Sequence, residues 1–152
     1  MGSEELKPTA QQQWSTGPRT VPRTPERGYS RTIVVIDDDT AWLANLETWL
    51  AHDGFRVIGI SRGEWVVQAV DFHNPDAVLL DIHLPGADGL DILRQLRHRR
   101  PDIPVIIMTA FGGLQVEERA RRLGAAAYFD KPFRLNDLIR VLRRVHRSEQ
   151  AG

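Results

Sequence analysis

The sequence of 152 residues contains no cysteine, which excludes disulfides and thiolate metal sites and fits a reducing, intracellular setting. Lysine is nearly missing as well: Lys7 and Lys131 stand alone, and every other basic residue is arginine. No apolar run approaches the roughly 18–20 residues that a membrane-spanning helix needs. The opening Met-Gly-Ser-Glu-Glu lacks the apolar stretch of a secretory signal. Net charge is also absent, with 20 basic residues against 20 acidic ones, so a blanket binder of polyanions or membrane surfaces is excluded. What remains is 41% apolar residues, enough to fill the core of one domain with a tail to spare.

Residues 1–30 hold Pro8, Pro18, Pro22, Pro25, a Gln11-Gln12-Gln13 run and few sizeable apolar groups besides Trp14. Such a stretch cannot bury enough surface to offset its chain entropy, so a disordered N-terminal tail is expected there. From residue 31 a rhythm begins. Thr32–Ile36 is a continuous β-branched run, followed by short apolar runs at 56–60, 77–80, 104–108 and 127–129. Continuous apolarity suits strands buried on both faces of a parallel sheet. Helical spacing separates them: Leu43, Leu46 and Leu50; Trp65, Val66, Ala69 and Val70; Leu90, Leu93 and Leu96; a weaker pattern over 114–123; then Leu135, Leu138, Ile139, Leu142 and Val145. Five strands alternating with five helices predict an α/β domain over 31–147, a (βα)5 doubly wound parallel sheet, with a short tail at 148–152. Gly54 and Gly124 fall where helices should end.

In such sheets a ligand site lies beyond the carboxyl ends of the strands, near the point where strand order switches. The polar residues collect there. Asp37-Asp38-Asp39 follows the first strand, Asp81 the third, Thr109-Ala110 the fourth, and Asp130-Lys131-Pro132-Phe133 the fifth. Taken singly, Asp39 or Thr40 reads as a helix cap, Asp81 as a turn residue, Thr109 as packing and Lys131 as a solvated charge. Together, several converging carboxylates call for a hard divalent cation such as Mg²⁺, with Mn²⁺ as a substitute. A lysine and a hydroxyl beside them complete a site for a phosphoryl group.

The runs Ile36-Asp37-Asp38-Asp39, Leu80-Asp81-Ile82-His83-Leu84-Pro85-Gly86-Ala87-Asp88-Gly89, Met108-Thr109-Ala110 and Tyr128-Phe129-Asp130-Lys131-Pro132-Phe133 resemble the receiver domain of two-component response regulators. The resemblance implies the flavodoxin-like strand order 2-1-3-4-5. It makes Asp81 the phosphoacceptor, taking its phosphoryl group from a sensor histidine kinase, a phosphotransfer protein or a small phosphodonor. By the same resemblance Asp38 is a direct metal ligand, Asp37 a water-mediated one, and Asp81 and the backbone carbonyl of His83 complete the set. Lys131 pairs with the phosphoryl oxygens, Thr109 hydrogen-bonds one of them, and Ala110 keeps access open. Thr109 and Tyr128 form the switch pair, and the peptide before Pro132 is cis. His83 and Phe111 flank the phosphoryl group and are expected to tune its lifetime.

Partners follow from the same reading. The face built by the fourth helix, fifth strand and fifth helix should meet a downstream protein or a second copy in a phosphorylation-dependent homodimer. The chain ends shortly after the last helical pattern, so a stand-alone, cytoplasmic receiver is expected. A receiver cut from a longer DNA-binding regulator and a Mg²⁺-dependent phosphohydrolase built on Asp37 or Asp81 are the alternatives. The latter would need the Asp37-x-Asp39 pair. The arginines cluster at 94–100, 119–122 and 140–147, which reads as solvated helix faces, with nucleic acid not expected as a partner. Neutrality conceals this segregation: residues 31–91 carry three basic and eleven acidic groups, residues 92–152 thirteen basic and six acidic.

Overall fold

The computed structural model describes residues 31–145 and 147. The tails expected at 1–30, Trp14 included, and at 148–152 lie outside the described residues. Strands and helices alternate as β1 (Arg31–Ile36), α1 (Thr40–His52), β2 (Phe55–Ile60), α2 (Val66–His73), β3 (Ala77–Asp81), α3 (Gly89–Arg99), β4 (Val105–Thr109), α4 (Leu114–Arg122), β5 (Ala127–Asp130) and α5 (Leu135–Arg144). The five strands form one parallel sheet in the order β2-β1-β3-β4-β5, the flavodoxin-like arrangement.

Strand alternation divides the core into two layers. Val34 and Ile36 of β1, Val78 and Leu80 of β3, and Val105 and Ile107 of β4 face α2, α3 and α4. Ile33 and Val35, Ala77 and Leu79, and Ile106 and Met108 face α1 and α5. Both faces of the three central strands are thus covered, which is why their sequences are continuously apolar. Each buried Ile or Leu contributes about 1.5–3 kcal/mol relative to exposure. α4 is the least anchored helix, with Ala120 its one fully buried residue, in keeping with its weak pattern. No helix among the described residues is long and apolar enough to cross a membrane.

Several local expectations change. Trp65 belongs to a 3₁₀ turn, Gly63–Trp65, rather than to α2, and Val145 caps α5 rather than continuing it. Gly54 and Gly124 do end helices, with φ of 87° and 99°. Pro85–Gly86 forms the turn of a short antiparallel hairpin, His83–Leu84 against Ala87–Asp88, and Gly89 already opens α3. Positive φ is needed there at Gly86 alone, at 71°. Gly89 is glycine for a different reason: a Cβ on it would lie 2.1 Å from the Ile82 Cα.

Candidate functional site

The order of the sheet reverses between β1 and β3, where Ile36 pairs with Leu80. The residues that follow them, Asp37 and Asp81, therefore emerge side by side. They are 1% and 5% exposed, and with the exposed Asp38 they offer carboxylate oxygens within 4.8 Å of one another. This cluster could hold a metal ion, and its donors are all hard oxygens. Lys131, after β5, closes the group. Its ammonium donates to Asp37 Oδ2 and, at 3.1 Å, to Asp81 Oδ2. The other oxygen of each carboxylate is fixed by the backbone N–H two residues on: Asp39 N–H to Asp37 Oδ1 and His83 N–H to Asp81 Oδ1, both 2.9 Å. Both carboxylates are thus held by one shared lysine and by their own turns. The Lys131–Pro132 peptide is cis, and the Lys131 N–H donates to the Thr109 carbonyl at 2.8 Å.

Charge in this cluster is unbalanced, with three carboxylates around one ammonium. Burial pushes the Asp37 carboxyl above the ordinary carboxylate range, and the nearby Asp81 adds to that, against the opposing bond from Lys131. Burial works to lower Lys131, but the Asp37 and Asp81 carboxylates outweigh it and hold the ammonium above its usual value. Such a cluster favours any added cation.

The loop after β4 forms one wall. Thr109 is fully buried, and its Oγ1 accepts from the Phe111 N–H at 3.1 Å, leaving its own hydrogen free to donate. Ala110 is exposed. Phe111, 73% exposed, meets His83 edge to face at 5.5 Å, and the His83 Nε2 contacts the Phe111 carbonyl at 2.9 Å. The two residues expected to flank the phosphoryl group are therefore joined to each other across the β3 and β4 ends. Tyr128 Oη donates to Asp130 Oδ1 at 3.0 Å. Burial and this carboxylate raise the phenol above its ordinary value. Both groups pack on Gly112, where a Cβ would lie 1.8 Å from the phenol oxygen and 3.1 Å from Thr109 Cγ2.

All the residues expected at the strand ends converge on this edge, but Asp39 has a separate task. Its Oδ1 accepts from Trp42 N–H at 3.0 Å and caps α1. The Asp37-x-Asp39 pair that a phosphohydrolase would need is therefore split. Sequence reasoning missed Trp42, whose ring centroid lies 4.4 Å from the Lys131 ammonium. Its place one turn after the acidic run put it near the strand ends, but nothing in the sequence marked its contact with Lys131. Gly112 and the partner role of Asp130 were also missed.

The family model of the response regulator receiver domain matches residues 33–143. The chain belongs to that family. Among curated relatives, this receiver is 38% identical to the DNA-binding transcriptional regulator NtrC of Escherichia coli (strain K12) over 118 residues, covering 76% of this chain and 25% of that protein. It is 32% identical to the transcriptional regulatory protein PdtaR of Mycobacterium tuberculosis (strain ATCC 25618 / H37Rv) over 125 residues, 82% of this chain and 59% of that one. The receiver thus spans about a quarter of NtrC and under two thirds of PdtaR. Among solved structures, the BeF3-activated N-terminal receiver domain of Klebsiella pneumoniae RstA superposes with a TM-score of 0.72 at 28% identity, over 75% of this chain and 97% of that one. A CheY-like receiver from Methanospirillum hungatei JF-1 gives 0.71 at 26% identity, over 74% and 90%. DNA binding is named for NtrC, so the expectation that nucleic acid is no partner gains no support from these relatives.

Proposed function

We propose that this receiver is switched by phosphorylation of Asp81. The observation that carries the reading is the Lys131 bridge between two buried carboxylates at the switch point of the sheet. One Asp81 oxygen attacks the phosphorus of a phosphohistidine or acyl phosphate. The bond from phosphorus to the donor nitrogen or oxygen breaks, and the donor atom keeps the electron pair. Lys131 transfers its contact from the carboxylates to the incoming phosphoryl oxygens, and the free Thr109 hydrogen donates to another. Ala110 leaves the approach open. Asp37, Asp38, Asp81 and the His83 carbonyl would hold Mg²⁺ or Mn²⁺, which supplies charge neutralisation for the phosphoryl oxygens.

The readout runs through Thr109 and Tyr128, which share Gly112 as a neighbour. Movement of the threonine frees or fills the space beside the ring and re-poses the surface of α4, β5 and α5, where a downstream protein or a second copy docks. The joined His83 and Phe111 side chains screen the aspartyl phosphate from water and set its lifetime. The donor is a sensor histidine kinase or a phosphotransfer protein, in the cytoplasm. The test is incubation with acetyl phosphate and Mg²⁺. An acid-stable, base-labile adduct that Asp81→Asn abolishes supports the reading, and an adduct that survives the substitution refutes it.

A further inference from the structure

The Lys131 ammonium has a third neighbour that is not a carboxylate. It lies over the face of Trp42 at 4.4 Å. That ring is itself held in place. Phe133, two residues beyond Lys131, meets it edge on at 6.1 Å, and Phe129 packs against Phe133 at 5.1 Å with the rings tilted by 42°. The backbone that carries the ring is fixed as well: the Trp42 main-chain N–H donates to the Asp39 carboxylate, whose own main-chain N–H donates to Asp37. The contacts close a ring: Lys131 to Asp37, Asp37 to Asp39, Asp39 to Trp42, and Trp42 back to Lys131.

The ring face matters because the two carboxylates are not reserved for lysine. A divalent cation held by Asp37, Asp38 and Asp81 would neutralise these carboxylates and weaken their pull on the ammonium. A lysine on a flexible four-carbon stem would then have nothing to hold it at the pocket. An indole face attracts a cation through its quadrupole and uses no carboxylate oxygen. We propose that Trp42 is a positioning residue for phosphoryl transfer, holding the Lys131 ammonium at the pocket when the carboxylates are otherwise engaged. This rests on Asp81 as the acceptor and Lys131 as the phosphoryl partner.

Two measurements test it on the full chain. The first is the rate of adduct formation with acetyl phosphate and Mg²⁺, in a double-mutant cycle of Trp42→Leu with Lys131→Met. Trp42→Leu should slow the wild-type background about 3- to 10-fold and leave the Lys131→Met background unchanged within about twofold. Trp42→Phe, with a weaker face, should fall between, and Trp49→Phe on the exposed side of α1 should match the wild type. The second uses the scarcity of lysine. With ¹³C-lysine only Lys7 and Lys131 give signals. The Lys131 ε-methylene protons should be shifted upfield by the indole ring, remain so after Mg²⁺ is added, and return to an ordinary position in Trp42→Leu.

Equal slowing in both backgrounds, no slowing at all, or loss of the upfield shift on adding Mg²⁺ overturns the inference. If Asp81→Asn abolishes the adduct while Trp42→Leu forms it at the wild-type rate, the inference fails and the acceptor assignment stands. An adduct that persists in Asp81→Asn overturns both.

Discussion

Asp81→Asn should make the metal-free protein more stable, although it removes one end of a buried ion pair. Lys131 Nζ lies 3.1 Å from Asp81 Oδ2, and at an effective dielectric near 20 that attraction is about 5 kcal/mol. The facing oxygens of Asp37 and Asp38 lie within 4.8 Å of that of Asp81. Buried Asp37 repels Asp81 by about 3.5 kcal/mol at the same dielectric, and the solvated Asp38 adds about 1 kcal/mol. Attraction and repulsion nearly cancel. What remains is the cost of keeping a charge with 5% exposure away from water, several kcal/mol after relaxation. Asparagine escapes that cost, retains the acceptor for the His83 N–H, and leaves Lys131 paired with Asp37. The expected gain is about 2 kcal/mol, or a Tm higher by roughly 5–10 °C for a domain of this size. Urea and thermal unfolding in EDTA would read it. Mg²⁺ should then close the gap, since a cation at 100 times its Kd stabilises the wild type by about 2.7 kcal/mol and the variant less. A lower unfolding midpoint for Asp81→Asn in EDTA would refute the reasoning.

Other consequences are equally direct. Asp102 is buried and bonded to Arg100 at 3.2 Å and Arg147 at 2.8 Å; burial alone would raise its carboxyl, but the arginines hold it below the ordinary range. A depressed native value contributes stability above the unfolded value near 3.8 and loses it as pH falls further. Asp102→Asn should therefore cost about 2 kcal/mol at pH 7 and flatten the acid limb of the urea midpoint below about pH 4. Gly89→Ala drives a methyl into the Ile82 backbone and should cost about 3 kcal/mol, measured by chemical denaturation. The sequence has two tyrosines, so ultraviolet titration can follow the Tyr128 phenol, which should ionise above its ordinary value and drop in Asp130→Asn. Phe111→Glu and His83→Asn should each change the half-life of the aspartyl phosphate, and an unchanged half-life in both would remove them from that role.

The sheet was readable because burial on both faces leaves a local mark, the unbroken run Ile33-Val34-Val35-Ile36 and its counterparts. The site was readable because the switch-point rule needs only the residue that ends each strand, and Asp37, Asp81, Thr109 and Lys131 all occupy such places. Pairwise contacts between distant segments left no such mark. Trp42 meets Lys131 across 89 residues, a contact set by the fold and not by the first turn of α1. Nothing local marks Asp102 as buried, yet it anchors Arg100 and Arg147. Gly89 carries no local mark of the Ile82 backbone packed against it. Trp65 follows the helical spacing, but the chain enters α2 through a 3₁₀ turn that spacing cannot distinguish.

Chemical trapping distinguishes Asp81 from the other carboxylates of the cluster as the group that receives the phosphoryl. Borohydride reduces an acyl phosphate to the alcohol, so aspartate at the modified position becomes homoserine. After acetyl phosphate and Mg²⁺, peptide mass spectrometry should find homoserine at position 81 alone. Homoserine at 37 or 38 with position 81 unmodified would show that Asp81 is not the acceptor.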